Sequence, residues 1–372
     1  MQEESAMILM NDFTAEPAVL KEEMLAAVSR VIDSGWYVLG QEGESFEQAW
    51  AGVCGVSHAV GVGNGMDAIE IALRSLDIGP GDEVITTPMT AFATVLAILR
   101  AGAIPVLADI DAETALLNRE SVARCISRKT KAMILVHLYG QVRDMDAWVE
   151  LCERHNIHLI EDCAQSHLAT WQGRVAGSFG RAGAYSSYPT KNLGALGDGG
   201  MLVTNVDALA ERAARLRNYG QSVRYHHPEK GMNSRLDEIH AAMLQVRLKW
   251  LPEFTQRRQE IARKYRQGIQ HALVSKLAAP QEEAAHVYHL YVISCEQRDA
   301  LQCHLENCGV QTYCHYPVPI HHQESCKDIH RDPKGLATSE WHAKSCLSLP
   351  CHPQMSNEDV NIVIDADNRF KG

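Results

Sequence analysis

Residues 58–65 read His58-Ala-Val-Gly-Val-Gly-Asn-Gly65, a short apolar strand that runs straight into a glycine turn. Beyond it Ile69, Ala72, Leu73 and Leu76 fall on one helical face, and Gly79-Pro80-Gly81-Asp82 breaks that helix. The same unit recurs downstream. Glu83-Val-Ile-Thr reads as a strand and Phe92 to Arg100 as a helix; Ile104-Pro-Val-Leu-Ala and Ala132 to Leu138 read as strands, and Met145 to His155 as a helix. His158-Leu-Ile is a strand that stops at Glu161-Asp162. Ala182 to Ser187 and Met201 to Thr204 are two more strands, and Asp207 to Arg217 is a helix. Strands alternating with helices at these lengths predict an α/β fold, a mostly parallel sheet covered by helices on both faces. Ligands of such sheets bind beyond the carboxyl ends of the strands. Three places qualify: Gly63 to Asp67, Asp162 to Gln165, and Ser186 to Lys191.

Outside this core, Ala18 to Ile32 has the spacing of an amphipathic helix, with Pro17 before it and Gly35 after it. After Arg235 the pattern changes. Ile239 to Trp250 and Phe254 to Gln270 read as two long helices, followed by a strand over Val287 to Ser294 and a helix over Arg298 to Cys308. The expected division is a large domain over 1–250 and a smaller C-terminal α/β domain over 251–372.

Composition narrows the function. A chain of 372 residues with 46% apolar and 22% charged residues has room for roughly two packed domains. The formal charge of −11 disfavours nucleic acid as a partner. The 11 cysteines form no CxxC pair, which fits reduced thiols in a cytoplasmic protein. MQEESAMILMNDF at the start does not resemble a secretory leader, and no apolar run approaches the roughly 20 residues needed to cross a bilayer. His315, His321 and His322 cluster near Tyr316-Pro-Val-Pro without a spacing that supports zinc, so no metal is expected.

Each unusual residue has an ordinary reading beside a chemical one. Most lysines stay solvated. Lys191, at the end of a buried strand and inside a glycine-rich turn, suits an amine whose lowered pKa lets it attack an aldehyde and later move a proton. Asp162 is either a helix N-cap or a carboxylate facing a pyridinium nitrogen, which keeps a ring protonated and able to accept electrons. Gly63-Asn-Gly-Met-Asp is either a plain turn or a phosphate-binding helix start. Its glycines, at 61, 63 and 65, do not follow the dinucleotide spacing, and no Walker loop is present.

Taken in order, further motifs carry a resemblance. They are Asn64-Gly-Met-Asp-Ala, Val136-His-Leu-Tyr-Gly-Gln, Glu161-Asp-Cys-Ala-Gln, Tyr188-Pro-Thr-Lys-Asn-Leu-Gly-Ala-Leu-Gly-Asp-Gly-Gly, Asn233-Ser-Arg-Leu-Asp-Glu and His315-Tyr-Pro-Val-Pro-Ile-His. Over nearly the whole chain the sequence resembles the DegT/DnrJ-type sugar-nucleotide aminotransferases, within the fold-type I pyridoxal-phosphate enzymes. The resemblance implies pyridoxal 5'-phosphate as cofactor, with Lys191 its Schiff-base lysine and Asp162 the partner of its ring nitrogen. It further implies Gln165 near the phenolic oxygen, Ala164 under the ring, and Ser186 with the amides of Gly65 and Met66 around the phosphate. Asn233, with Arg235 nearby, would reach the phosphate in a neighbouring subunit, which implies a homodimer with sites at its interface. Tyr188, Tyr219, Tyr316 and His321 are candidates for the sugar-nucleotide side. Two positions depart from the family: Met66 replaces a usual threonine or serine, and the aromatic that covers the ring falls at Ala91 or its neighbour Phe92.

The expected reaction moves an amino group from L-glutamate, which leaves as 2-oxoglutarate, to a nucleotide-linked keto-6-deoxysugar. The Leu-Gly-Ala-Leu-Gly-Asp-Gly-Gly run and the Asn233 motif resemble members acting on dTDP-3-keto-6-deoxyhexoses. A 4-keto sugar linked to dTDP or UDP is the alternative. Dehydratases of this fold carry histidine in place of the lysine. A non-catalytic regulator would have no use for Lys191, Asp162 and Gln165 together.

Overall fold

The computed structural model describes residues 7–372. Residues 1–6, part of the stretch read above as no leader, lie outside the described residues. In chain order the elements are helices α1 (Ala18–Ser34) and α2 (Gln41–Cys54), strand β1 (His58–Val62), α3 (Gly65–Ser75), β2 (Glu83–Thr86), α4 (Phe92–Arg100) and β3 (Ile104–Leu107). Then come α5 (Arg119–Cys125), β4 (Thr130–Val136), α6 (Met145–His155), β5 (His158–Asp162), a small hairpin β6 (Thr170–Trp171) and β7 (Arg174–Val175), β8 (Ala182–Ser186), β9 (Gly200–Thr204) and α7 (Asp207–Leu216). The last third holds α8 (Glu238–Gly268), β10 (Ser275–Lys276), β11 (Tyr291–Ser294), α9 (Arg298–Asn307), β12 (His330–Arg331), α10 (Ala337–Ser345), β13 (Cys346–Leu349) and α11 (Asn357–Asn368).

Eight strands form one sheet in the order β1-β9-β8-β5-β4-β2-β3-β12. From β8 to β12 every pairing is parallel; β9 runs antiparallel to both β8 and β1. The strands are apolar on both faces because helices cover both. One face packs Val62, Ile71, Leu73, Ile98 and Ile134 together, the other Phe46, Trp50, Ile85, Met133 and Tyr185. This is the predicted α/β architecture. Parallel neighbours aim their carboxyl ends the same way, so the ends of β5 and β8 and the start of α3 meet at one edge.

The C-terminal region departs from its reading in two ways. One helix, α8, replaces the two expected around residue 250, with Pro252 inside it. An interior proline costs about 3 kcal/mol. Burial of Leu251, Phe254, Ile261 and Tyr265 on either side offsets it, and Leu20, Met24 and Val31 of α1 pack with Val246 and Phe254. The expected strand over 287–294 is shorter, because residues 285–290 lie instead along residues 139–142. Val142 and Val287 amides donate to Ala285 and Gly140 carbonyls at 2.8 and 2.9 Å.

β12 also joins the large sheet, at the β3 edge. Its neighbour Asp332 is fully buried and accepts from Arg124 of α5 at 2.9 Å. Asp109 accepts from the Thr338 and Ser339 amides at 3.0 and 2.9 Å, so it caps the start of α10. No helix among the described residues is long and apolar enough to cross a membrane.

One buried charge is poorly served. Asp367 of α11 is fully buried and neither carboxyl oxygen has a partner among the described residues. The cationic groups near it are committed to carbonyls: Lys276 to Arg266 and Ile269, His271 to Phe370, His304 to Ala366. Burial pushes the Asp367 carboxyl up to about 6. Its folded pKa lies above its unfolded one, so the fold pays nothing for it below about pH 4. The cost grows between pH 4 and 6 and stays constant above, on the order of 3 kcal/mol at most. Asp367→Asn is therefore expected to raise Tm by a few degrees at pH 7.5, with the gain vanishing toward pH 4. Thermal unfolding across that range checks it, and an equal shift at both ends would exclude ionisation as the cause.

Candidate active site

β5 carries the first group. Its alternation places Glu161 and Asp162 on opposite faces. Glu161 is fully buried and accepts from the amides of Gly177, Phe179 and Gly180 at 2.7–2.8 Å and from His137 at 2.9 Å. It is a structural carboxylate that ties the 177–180 turn to the sheet. His137, Glu161 and Cys163 therefore sit close together without a free ligand set.

Asp162 faces the other way. One oxygen accepts from the Thr94 hydroxyl at 2.8 Å, the other from the Ala164 amide at 3.1 Å. Among the described residues no arginine or lysine bonds it. Burial raises its carboxyl above the usual range, while Thr94, the Ala164 amide and Lys191 pull it back. Thr94 in turn is bonded to Thr90 at 2.9 Å, one turn earlier at the start of α4.

Lys191 sits on the turn after β8. Its own amide donates to Tyr188, and Ala195 donates to Ser187, both at 2.8 Å. A side chain at Gly194 would come within 2.3 Å of the Pro189 carbonyl, so the turn closes only around glycine. The amine makes no hydrogen bond with any described residue. Burial pulls it down to about 8, against the pull of Asp162. Each feels the other's charge, so the two groups border one space at this edge of the sheet.

The start of α3 closes the same space. Asn64 caps the helix through the Asp67 amide at 2.8 Å. A Cβ on Gly65 would lie 2.8 Å from Ser186 Cβ, so the first turn of α3, with its free amides, packs directly against Ser186. Free amides, a hydroxyl and the positive end of a helix suit a phosphate. Gln165 is buried; it accepts from the Tyr139 amide at 2.6 Å and donates to the Tyr316 hydroxyl at 3.3 Å. A buried carboxylate without an ion pair, an unbonded amine and an anion cradle share one edge of the sheet. That set fits a phosphorylated, aldehyde-bearing, cationic ring such as pyridoxal phosphate.

The other residues singled out in the sequence fall at different places. Ala164 lines the site beside Asp162, partly exposed. Tyr316 is half-buried, near enough to Asp162 for that charge to raise its hydroxyl, which burial takes to about 12. Tyr188 borders the Lys191 turn and is 52% exposed. Asn233 and Tyr219 are exposed, and Arg235 stacks over the Tyr219 ring at 5.2 Å while donating to Asn218. Their neighbour Ser234 accepts from the Gly63 amide at 2.9 Å, so this patch adjoins the α3 start. His321 is buried and bonded to Glu340 of α10 at 3.1 Å, with His322 at 3.6 Å from the same oxygen. Ala91 is the N-cap of α4 and Phe92 its first, exposed residue.

Sequence reading missed Thr94, Tyr139 and Asn192. Thr90 and Thr94 at helical spacing in an otherwise apolar helix were the available signal for the first. The other two act through tertiary contacts that no local pattern shows.

Residues 18–366 match the DegT/DnrJ/EryC1/StrS aminotransferase family. The chain belongs to that family. It is 42% identical over 355 residues to the dTDP-3-amino-3,4,6-trideoxy-alpha-D-glucose transaminase of Streptomyces venezuelae, covering 95% of this chain and 94% of that one. It is 40% identical over 363 residues to the pleiotropic regulatory protein of Geobacillus stearothermophilus, covering 97% and 98%. The crystal structure of S. venezuelae DesV in complex with a ketimine intermediate is similar throughout, with a TM-score of 0.94 at 41% identity over 98% of this chain and 99% of that one.

In this aminotransferase Thr94 is the group that can be removed without touching charge. Thr94→Val keeps the shape and deletes the donor to Asp162. Losing one hydrogen bond to a buried carboxylate is expected to slow amino transfer by roughly threefold to thirtyfold, with little change in folding. Stopped-flow rates of the amino-donor half-reaction check this; an unchanged rate would remove Thr94 from the site.

Proposed function

We propose that this protein transfers an amino group from L-glutamate to a nucleotide-linked keto-6-deoxysugar, specifically a dTDP-3-keto-6-deoxyhexose. The observation that carries the reading is the amine of Lys191 within reach of the buried Asp162 charge, with no hydrogen bond to the amine and no ion pair to the carboxylate among the described residues. An amine with a pKa of about 8 is partly free base at neutral pH, so it can bond a carbonyl carbon and then act as a base. Pyridoxal phosphate is the cofactor; when bound, it supplies the electron sink.

The chain's own groups do the rest. Lys191 would hold the cofactor through its aldehyde, and its amine, free base in part at neutral pH, would be the group that moves a proton at the substrate carbon. Asp162, braced by Thr94 and the Ala164 amide, keeps a proton on the ring nitrogen. Gly65, Met66 and Ser186 would hold the phosphate, Met66 through its amide alone. Gln165 would serve the phenolic side and Ala164 the ring face. Asn233 and Arg235 serve the phosphate of a second protomer's site. Tyr188, Tyr219 and Tyr316 would line the sugar-nucleotide side, and His321, buried against Glu340, would act there only through that carboxylate.

A homodimer is part of the proposal. Exposed apolar side chains crowd the segments around the site: Trp36 at 62%, Tyr188 at 52% and Leu196 at 65%. Surfaces of this kind are covered in stable assemblies. The division into a cofactor-binding unit over 1–250 and a smaller unit over 251–372, and a cytoplasmic location, belong to the same reading. The choice of the 3-keto position and of dTDP rests on the similarity to the Streptomyces transaminase. A 4-keto sugar remains the alternative, and the regulatory relative makes a non-catalytic role the competing class.

Lys191→Ala is expected to lose turnover and the visible absorbance of the bound cofactor. Normal activity in that variant would end the proposal. Among keto sugars presented with glutamate, dTDP-3-keto-6-deoxyhexoses should react fastest, by at least roughly tenfold over 4-keto isomers. Preference for a 4-keto sugar would move the assignment to the alternative, and turnover of none would favour the regulator.

A further inference from the structure

The turn that carries Lys191 is held from the far side of the fold. Asn192 is buried, and its amide nitrogen donates to the Val287 carbonyl at 3.1 Å. That contact fixes which end of the Asn192 amide faces His289, so its oxygen accepts from His289 Nδ1–H at 3.2 Å. The bond sets the tautomer: the proton sits on Nδ1 and Nε2 is left as an acceptor.

His289 is itself clamped. Arg258 of α8 is buried and has no carboxylate partner among the described residues; it donates to the carbonyls of Tyr288 and His289, both at 3.3 Å, and to that of Cys351. On the other side Gly140 packs so closely that a Cβ there would meet the His289 amide at 3.1 Å. The His289 side chain lines a cavity of about 170 Å³ together with Thr190, the residue before Lys191, and His315.

The charged and titratable groups around the amine are few. Asp162 lies at the end of β5, His167 on the loop after it, His289 on the 285–290 segment and His315 before β13. Burial and the neighbouring Lys191 and Arg258 charges drive the His289 ring well below its ordinary value. The ring therefore stays neutral through the physiological range.

We propose that His289 is a positioning residue for Lys191: through Asn192 it fixes the turn that carries the amine, and its neutral, Nδ1-protonated ring keeps that side of the amine free of competing positive charge. This deepens the reading of Lys191 as the cofactor-holding amine and rests on it. Protonating the ring would place a second cation in the space that Lys191 and the bound ring must share. Losing the ring would free the turn to shift, and a displacement near 1 Å at a reacting group is enough to cost about a hundredfold in rate.

The test uses the pyridoxal-phosphate-loaded protein and the variants His289→Leu and His289→Gln. Glutamine can donate to Asn192 and stays neutral; leucine cannot donate. Two readouts are taken: the midpoint of the bound cofactor's absorbance as pH is varied, and the split between kcat and KM. His289→Leu is expected to bind cofactor, to move the midpoint by at least about half a pH unit, and to lower kcat roughly tenfold to a hundredfold with KM changed far less. His289→Gln should recover most of both. An unmoved midpoint and kcat in the leucine variant would overturn the proposal, as would a glutamine variant as impaired as leucine. If the leucine variant does not fold, Asn192→Ala cuts the same bond from the turn, and an unmoved midpoint there overturns it equally. Wild-type protein that binds pyridoxal phosphate without a borohydride-reducible absorbance would instead overturn the reading of Lys191, and this inference with it.

Discussion

The structure depends on one electrostatic arrangement: a half-buried amine and a buried carboxylate held at the same edge of a sheet, without a hydrogen bond between them. Each is costly alone. A buried ionised group is tolerated when paired or hydrogen-bonded. Asp162 has the Thr94 hydroxyl and one amide; Lys191 has no hydrogen-bond partner among the described residues. The fold holds both in place by geometry. β5 delivers Asp162, the glycine-closed turn after β8 delivers Lys191, and α3 closes the space with its free amides.

Parallel strand order explains why three distant stretches meet. β5 and β8 are neighbours in register, with Asp162 opposite Ala184, so the residues that follow each strand emerge side by side. Gly65 reaches Ser186 because β1 returns beside β9, and Gly200 packs against the Asn64 backbone. The C-terminal third adds a second layer of control. Residues 285–290 run along 139–142 and contact the Lys191 turn through Asn192 and the Gln165 side chain through Tyr139. A shift of that segment reaches the amine and the phenolic side together.

How much of this was legible in the sequence follows from which interactions are local. The strands at His58–Val62 and His158–Asp162 and the helix at Phe92–Arg100 show in the pattern because alternation and helical spacing are properties of consecutive residues. Lys191, Asp162 and the Gly65 turn stand out because each breaks a local rule: a charge at the end of an apolar strand, or glycines where a helix starts. The clamp on the Lys191 turn left no such mark. Asn192 and His289 are 97 residues apart, and neither is odd where it stands. Helix α8 was read as two because proline is a strong local breaker, and only tertiary packing of Leu251 and Phe254 carries the helix through Pro252. β12 could not be read either: two residues are too few for periodicity, and Asp332 with Arg124 holds them at the sheet edge.

The unpaired state of Lys191 and Asp162 also bears on why such a chain would keep them. A protein with this fold but no chemistry could replace both with apolar residues of similar volume, and removing a buried charge pair in this way is often neutral or stabilising. Retaining an amine that burial pulls to about 8, beside a carboxylate that burial pushes up, makes the ligand-free protein less stable than it needs to be. That cost is recovered only by a ligand carrying a carbonyl for the amine and a cationic nitrogen for the carboxylate. The anion cradle at Gly65 and Ser186 adds a third point, and three points fix an orientation as well as an affinity. A site arranged to hold one ring rigidly while a proton moves at one of its carbons is what amino transfer requires, and a surface for regulation does not require it.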